Sequence, residues 1–174
     1  MKPKTMLFIT MSIICLSSLS CLFAENRTAE PTMELAINPL FLAAGTFNTE
    51  FETVVNSRWS AGANLWYEFD NVEARFAYLK LLYHPLHPGL EGLGLGPTAG
   101  VITRYREEGK PEQQSSDTAP TLGAIVQYNW LLGKRDNWLL GLGFNLHATL
   151  KDYADNSPLR RFDGDLRLMC GYAW

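Results

Sequence analysis

The sequence predicts an all-β fold: an eight-stranded antiparallel up-and-down β-barrel that spans a membrane. Three observations predict it. Apolar and polar residues alternate with a period of two in eight stretches of the chain, which gives each stretch one apolar and one polar face as a strand. After residue 24 no apolar run approaches the roughly 18 residues of a spanning helix, and 3.6-residue periodicity is hard to find. The closing stretch sets Leu166, Leu168, Cys170, Tyr172 and Trp174 on one parity, opposite Asp163, Asp165, Arg167, Met169, Gly171 and Ala173. Terminal residues of a soluble domain usually fray. The closing strand of a membrane barrel must pair on both sides and present an apolar stripe ending in an interfacial aromatic.

With 174 residues, one domain is expected. Residues 1–24 read as a signal peptide: Lys2 and Lys4 begin it, Met6 to Phe23 form an apolar run softened by serines, and Ala24 precedes polar Glu25-Asn26-Arg27. Two other readings of this segment are a retained anchor, since the run is long enough to span, and a lipoprotein site at Ser18-Leu19-Ser20-Cys21. The latter lacks the preferred large aliphatic residue three places before the cysteine. Losing Lys2 and Lys4 takes 15 basic residues to 13 against 18 acidic ones, a net charge near −5. That acidity argues against a nucleic-acid partner. Of three cysteines, Cys15 and Cys21 leave with the leader; a lone Cys170 excludes both a disulfide scaffold and a cysteine metal site.

Residues 25–32 read as a flexible lead-in and residues 33–174 as the barrel. The first strand is expected over Met33 to Ala44, with Pro39 at a bulge or bend because proline cannot donate to a ladder. The second covers Phe47 to Val55, and Asn56-Ser57-Arg58 has turn chemistry. The third covers Ser60 to Phe69. In the fourth, Val72 to Tyr83, the residues Val72, Ala74, Phe76 and Tyr78 oppose Glu73 and Arg75, and the parity breaks at Lys80. His84 to Gly89 is a proline-containing loop. The fifth, Leu90 to Arg104, carries Gly92, Gly94, Gly96, Thr98 and Gly100 on one face. A long polar loop, 107–118, leads to the sixth strand, Pro120 to Leu131, and a turn to the seventh, Trp138 to Leu150. A second long loop, 151–162, precedes the closing strand, Asp163 to Trp174. These lengths, 9 to 15 residues, meet the ~9–11 that a tilted membrane strand needs.

Alternation also fits a soluble calycin, whose apolar face lines an internal ligand cavity. Three features favour the inverted barrel. Both long loops leave from the same end, opposite the termini. Trp59, Tyr83, Trp130, Trp138 and Trp174 fall at the other end, where an interfacial belt is expected. The polar face is rich in glycine, among them Gly62, Gly92, Gly94, Gly96, Gly123, Gly141, Gly143 and Gly171, which makes room in a narrow lumen.

Several short motifs carry a resemblance: Ile37-Asn38-Pro39-Leu40, Glu50-Phe51-Glu52, Tyr83-His84-Pro85, and Gly92-Leu93-Gly94-Leu95-Gly96-Pro97. With them the mature chain resembles the small outer-membrane β-barrel proteins of Gram-negative-type bacteria, in the OmpX/OmpA-like class, and most a branch with no agreed activity. The resemblance implies an exported bacterial outer-membrane protein that contacts lipid and the outer-membrane insertion machinery. It also implies that Leu166, Leu168, Tyr172 and Trp174 form the assembly signal.

Chemistry is sparse. The polar face holds Glu50, Glu52, Glu68, Glu73, Arg75, Arg104, Asp165 and Arg167, and buried charges require partners, so an internal ion-pair network is expected rather than a conduit. The Gly92–Gly96 run lacks the lysine and helix of a phosphate loop. His84 and His87 flank prolines in what reads as a solvated turn; no third metal ligand accompanies them. His147 and Thr149 share a face and loosely resemble the His-x-Ser of lipid A deacylase barrels, but the nucleophile would be a threonine facing the lumen, where an acyl chain cannot easily reach, and such a pair also needs an orienting acid. The expectation is a monomeric barrel with a structural or surface-interaction role, without catalysis, cofactor or metal. An extracellular ligand would bind through loops 107–118 and 151–162. The alternatives are a lipid A-modifying hydrolase using His147 and Thr149, and a soluble or lipid-anchored periplasmic calycin for a small apolar ligand. Deleting Trp174 is expected to block assembly, read as loss of the heat-modifiable band on a denaturing gel. A truncated chain that assembles as well as the full one would contradict the assembly-signal reading.

Overall fold

The computed structural model describes residues 30–69, 74–107, 114–150 and 162–174. The leader and most of the lead-in lie outside the described residues. The alternation is realised as a closed barrel of β1 (Met33–Ile37), β2 (Thr46–Asn56), β3 (Trp59–Glu68), β4 (Ala74–Tyr83), β5 (Gly92–Glu107), β6 (Gln114–Leu132), β7 (Trp138–Thr149) and β8 (Phe162–Ala173). Each strand pairs antiparallel with its sequence neighbours, and β1 closes on β8. No helix among the described residues is long and apolar enough to cross a membrane.

The barrel is inverted relative to a calycin. Glu50 and Glu52 of β2, Gln127 and Asn129 of β6, and Asn145 and His147 of β7 are buried in the lumen, while the residues between them face outward. Leu65, Leu79, Leu122, Phe144 and Leu166 stand on the exterior, Leu79 at 67 % and Leu166 at 64 % exposed. A calycin would have these two faces exchanged. The lumen is narrow enough that Gly62 is required: a Cβ there would lie 2.6 Å from the Phe51 carbonyl and 2.7 Å from Lys80 Cε.

Four strands depart from expectation. The first ends at Ile37, and Pro39–Ala43 form a short helix, α1. The reason is local. Pro39 has no N–H for a ladder but suits the first helical position, and Asn38 caps the helix, its Oδ1 accepting from Leu40 N at 3.1 Å and Phe41 N at 3.3 Å. In β4 there is no break at Lys80. Phe76, Tyr78, Lys80 and Leu82 all point inward, and Arg75 points out, its guanidinium 4.8 Å from the Tyr67 ring. The inward face of β4 begins with aromatics because they pack at the upper end of the lumen with Trp66, Ile102 and Ala119. Strands β5 and β6 also run beyond the expected ends, pairing as far as Glu107 with Gln114, so much of the predicted loop 107–118 is hairpin.

The end that bears the β2–β3, β4–β5 and β6–β7 connections, here the lower end, is banded by aromatic pairs. Trp59 lies 5.3 Å from Tyr83, Tyr128 4.7 Å from Trp130, and Trp138 5.8 Å from Tyr172, centroid to centroid. Arg58 Nη1 ties two of these connections together by donating to the Pro85 carbonyl at 2.6 Å. At the upper end Phe41 of α1 stacks on Trp66, rings 5.6 Å apart and 9° from parallel. If the Asn38 cap sets the start of α1, Asn38→Ala should cost about 1 kcal/mol and Asn38→Asp far less. Urea unfolding of the refolded protein in micelles checks this.

Candidate functional site

The strand alternation that turns leucines outward leaves the lumen with charges that must find one another. Lys80 sits at the centre, fully buried. Its Nζ donates to Glu50 Oε1 at 2.7 Å, to Gln127 Oε1 at 3.0 Å and, in a close ion pair, to Glu52 Oε2. Arg167 of β8 completes the cluster, with Nη2 ion-paired to Glu50 Oε2 and Nη1 donating to Gln127 Oε1 at 3.1 Å. Gln127 Nε2 donates in turn to Glu52 Oε2 at 3.0 Å. Removing charges from water costs several kcal/mol per ion, recovered only where partners and geometry are good. Each of these four ions has a direct opposite charge, and Gln127 bridges them.

Below this layer, Ser60 Oγ donates to Glu52 Oε1 at 2.5 Å and lies 2.8 Å from His84 Nε2. Glu34 receives a longer bond, 3.4 Å, from Asn129 Nδ2. Above it, Asn48 Nδ2 donates to Asn64 Oδ1 at 3.0 Å, and Asn64 Nδ2 approaches Glu50 Oε2 at 3.4 Å. The polar core thus joins β2, β3, β4, β6 and β8.

Of the predicted network, the structure brings together Glu50, Glu52 and Arg167. Asp165 lies one inward position above Arg167 in β8, outside this ion-paired core. Glu68 is at the upper end of β3, and Arg75 is on the exterior. Arg75 is a correction, and it follows from position: β4 faces the other way. Glu73 lies outside the described residues. Arg104 belongs to β5, paired with Ala74 and Asp117. The expectation missed Lys80, which the supposed parity break at that residue concealed, and Gln127. It also placed His84 in a solvated turn, whereas His84 is buried at 1 % exposure against Ser60. His87 is exposed, as expected.

Two constellations resemble hydrolytic machinery. His147 and Thr149 do face the lumen together; His147 stacks on Phe76 at 4.4 Å and stands beside Asp163, its cross-strand neighbour on β8. Ser60, His84 and Glu52 are the right residue types but in the wrong order. The carboxylate accepts from the serine hydroxyl, and His84 Nδ1 has no partner to orient it. Glu52 Oε1 also lies 3.6 Å from His84 Nε2, the same ring nitrogen that meets Ser60; a hydrolytic triad needs the acid on the other ring nitrogen, so this arrangement serves to anchor Glu52. Three carboxylates, those of Glu34, Glu50 and Glu52, offer oxygens within 4.8 Å of one another. Lys80 and Arg167 already occupy the inner faces of Glu50 and Glu52, and an ammonium there repels a metal ion. The Gly92–Gly96 run is β-strand, as expected of a segment without phosphate-loop context.

No protein-family model and no curated protein matches the chain. Among solved structures it is similar to the N-terminal β-barrel domain of Pseudomonas aeruginosa OprF, at 15 % identity and a TM-score of 0.53, covering 83 % of this chain and 98 % of that one. At this identity the likeness establishes the fold, the eight-stranded up-and-down barrel that the alternation predicts. The ion-pair cluster should behave as a unit. Arg167→Met alone should destabilise the barrel by about 3–5 kcal/mol because it leaves a buried carboxylate short of its counter-charge. Adding Glu50→Gln should recover part of that loss. Urea midpoints in micelles measure both, and a strictly additive double variant would show that the two residues do not act together.

Proposed function

We propose that the chain is an exported protein of the bacterial outer membrane, a monomeric barrel with a structural or surface-interaction role and no catalytic one. A single observation carries this reading: a closed barrel with large apolar side chains around its whole exterior and paired charges inside. Water does not stabilise such an exterior, since a soluble protein seldom exposes contiguous apolar surface beyond a few hundred Å². Lipid does, and a closed barrel is one of only two architectures that satisfy the backbone there. The aromatic band at the end bearing Trp59, Trp130 and Trp138 supports a headgroup boundary at that end. On this reading the termini are periplasmic and the β5–β6 and β7–β8 connections reach outside the cell.

The middle layer of Lys80, Glu50, Glu52, Gln127 and Arg167 supports a closed lumen. An eight-stranded interior is just wide enough for its own side chains. Interaction then falls to the segments at 107–118 and 151–162, carried on a rigid scaffold. The assembly role of Leu166, Leu168, Tyr172 and Trp174 belongs to the same reading. Trp174 contributes directly to closure, its carbonyl accepting from Thr32 N at 2.8 Å and Met33 N at 3.0 Å. Fractionation should place the protein in the outer membrane with heat-dependent gel mobility. An epitope inserted at 151–161 should be reachable on intact cells, and one at 133–136 should not. A soluble periplasmic product would sink the proposal.

A further inference from the structure

Among the described strand residues that face outward, Arg75 of β4 is the one charged side chain. It stands at the end of an apolar stripe on β3 and β4. At the lower end that stripe begins with Trp59 opposite Tyr83. It runs through Leu65, Leu79 and Leu81, all exposed, and finishes at the upper end with Tyr67 opposite Arg75. Tyr83 and Arg75 lie eight residues apart on one strand. At the usual rise this is about 26 Å of strand, which a tilt of ~40° reduces to roughly 20 Å along the membrane normal. The apolar band of a membrane barrel is ~25 Å tall. Arg75 therefore stands where acyl chains give way to headgroups.

The guanidinium is laid along the barrel wall. It lies 4.8 Å from the centre of the Tyr67 ring, and Nη2 approaches the Tyr67 hydroxyl at 3.4 Å. The polar row continues sideways across two more strands. Arg75 is the cross-strand neighbour of Thr103, and Thr103 of Thr118. Both threonines lie outside the lumen, their hydroxyls 2.9 Å apart. A phenol, a guanidinium and two hydroxyls thus share one height on four adjacent strands. A guanidinium carries five donors in a planar fork, enough to keep Tyr67 and chelate an anion as well. At headgroup level the anion available is phosphate, whose oxygens arginine binds in bidentate fashion.

We infer that this row binds the phosphate of a membrane lipid. The Arg75 fork meets two phosphate oxygens, a threonine hydroxyl donates to a third, and the acyl chains lie along Leu65 and Leu79. The inference deepens the membrane reading above and rests on it.

Native mass spectrometry of the full chain, released from neutral micelles holding equal amounts of phosphatidic acid and of diacylglycerol with the same chains, tests the site. Phosphatidic acid should be retained about tenfold more strongly. Arg75→Gln should abolish that preference, and Arg135→Gln, which removes a cation at the lower end, should leave it intact. In the same micelles, phosphatidylcholine brominated in mid-chain should quench the outward tryptophans of the native chain and of Arg75→Gln alike. Equal retention of the two lipids with quenching present overturns the site and leaves the membrane reading standing; equal retention without quenching overturns both. A preference that survives Arg75→Gln, or that Arg135→Gln removes as fully, also overturns the site. Should Arg75→Gln not fold, Thr103→Val with Thr118→Val decides: a preference reduced severalfold supports the row, and an unchanged one overturns it.

Discussion

The fold depends on keeping two cations inside a barrel too narrow for water to solvate them. Lys80 and Arg167 come from strands far apart in sequence, and each reaches the same carboxylate, Glu50, and the same amide, Gln127. That geometry ties the strand registers to one another. A one-residue slip in β4 would turn Lys80 into the apolar exterior and bring Leu79 or Leu81 to the carboxylates, exchanging every favourable partner for an unfavourable one. Gly62 belongs to the same constraint, since any side chain there would occupy the volume of the Lys80 stem. Pairing specificity in this barrel is thus written into its interior, while the exterior leucines and aromatics set only which way each face looks.

Much of this was legible in the sequence. Alternation placed Glu50, Glu52 and Arg167 on the lumen side, because a polar residue at every second position in a strand has only one compatible face. It misjudged β4, where the inward residues at the upper end are Phe76 and Tyr78. Here the usual equation of apolar with outward fails, because the upper lumen is itself packed with Trp66 and Ile102. Lys80 then looked like an interruption when it continues the inward series. The Asn38-Pro39 pair carries a helix-start signal, but α1 spans only five residues, too few for a 3.6 period to displace an apparent alternation. The Ser60–His84 contact has no sequence signal at all, since it depends on how two strands and a loop meet in space.

The same residue types can imply chemistry or architecture, and here geometry separates the two. Serine, histidine and glutamate converge, but the serine hydroxyl and the carboxylate meet the same imidazole nitrogen, Nε2, and the acid is not placed on the far one. The cluster holds Glu52 in place for Lys80.

The seam between β1 and β8 also has a consequence for the order of folding. It joins the first strand of the barrel to the last, with four paired positions against eleven between β7 and β8. Contacts so distant in sequence close late, after hairpins such as β5–β6 have formed, because the entropy of bringing distant segments together must first be overcome. Until then both strand edges stand unpaired, the state in which β-proteins are most prone to join the wrong neighbour. The short β1 narrows that hazard: only five residues of edge wait for a partner, and α1 has already satisfied the backbone beyond them. Brevity at the seam thus trades some strength in the finished wall for a shorter exposed edge during assembly.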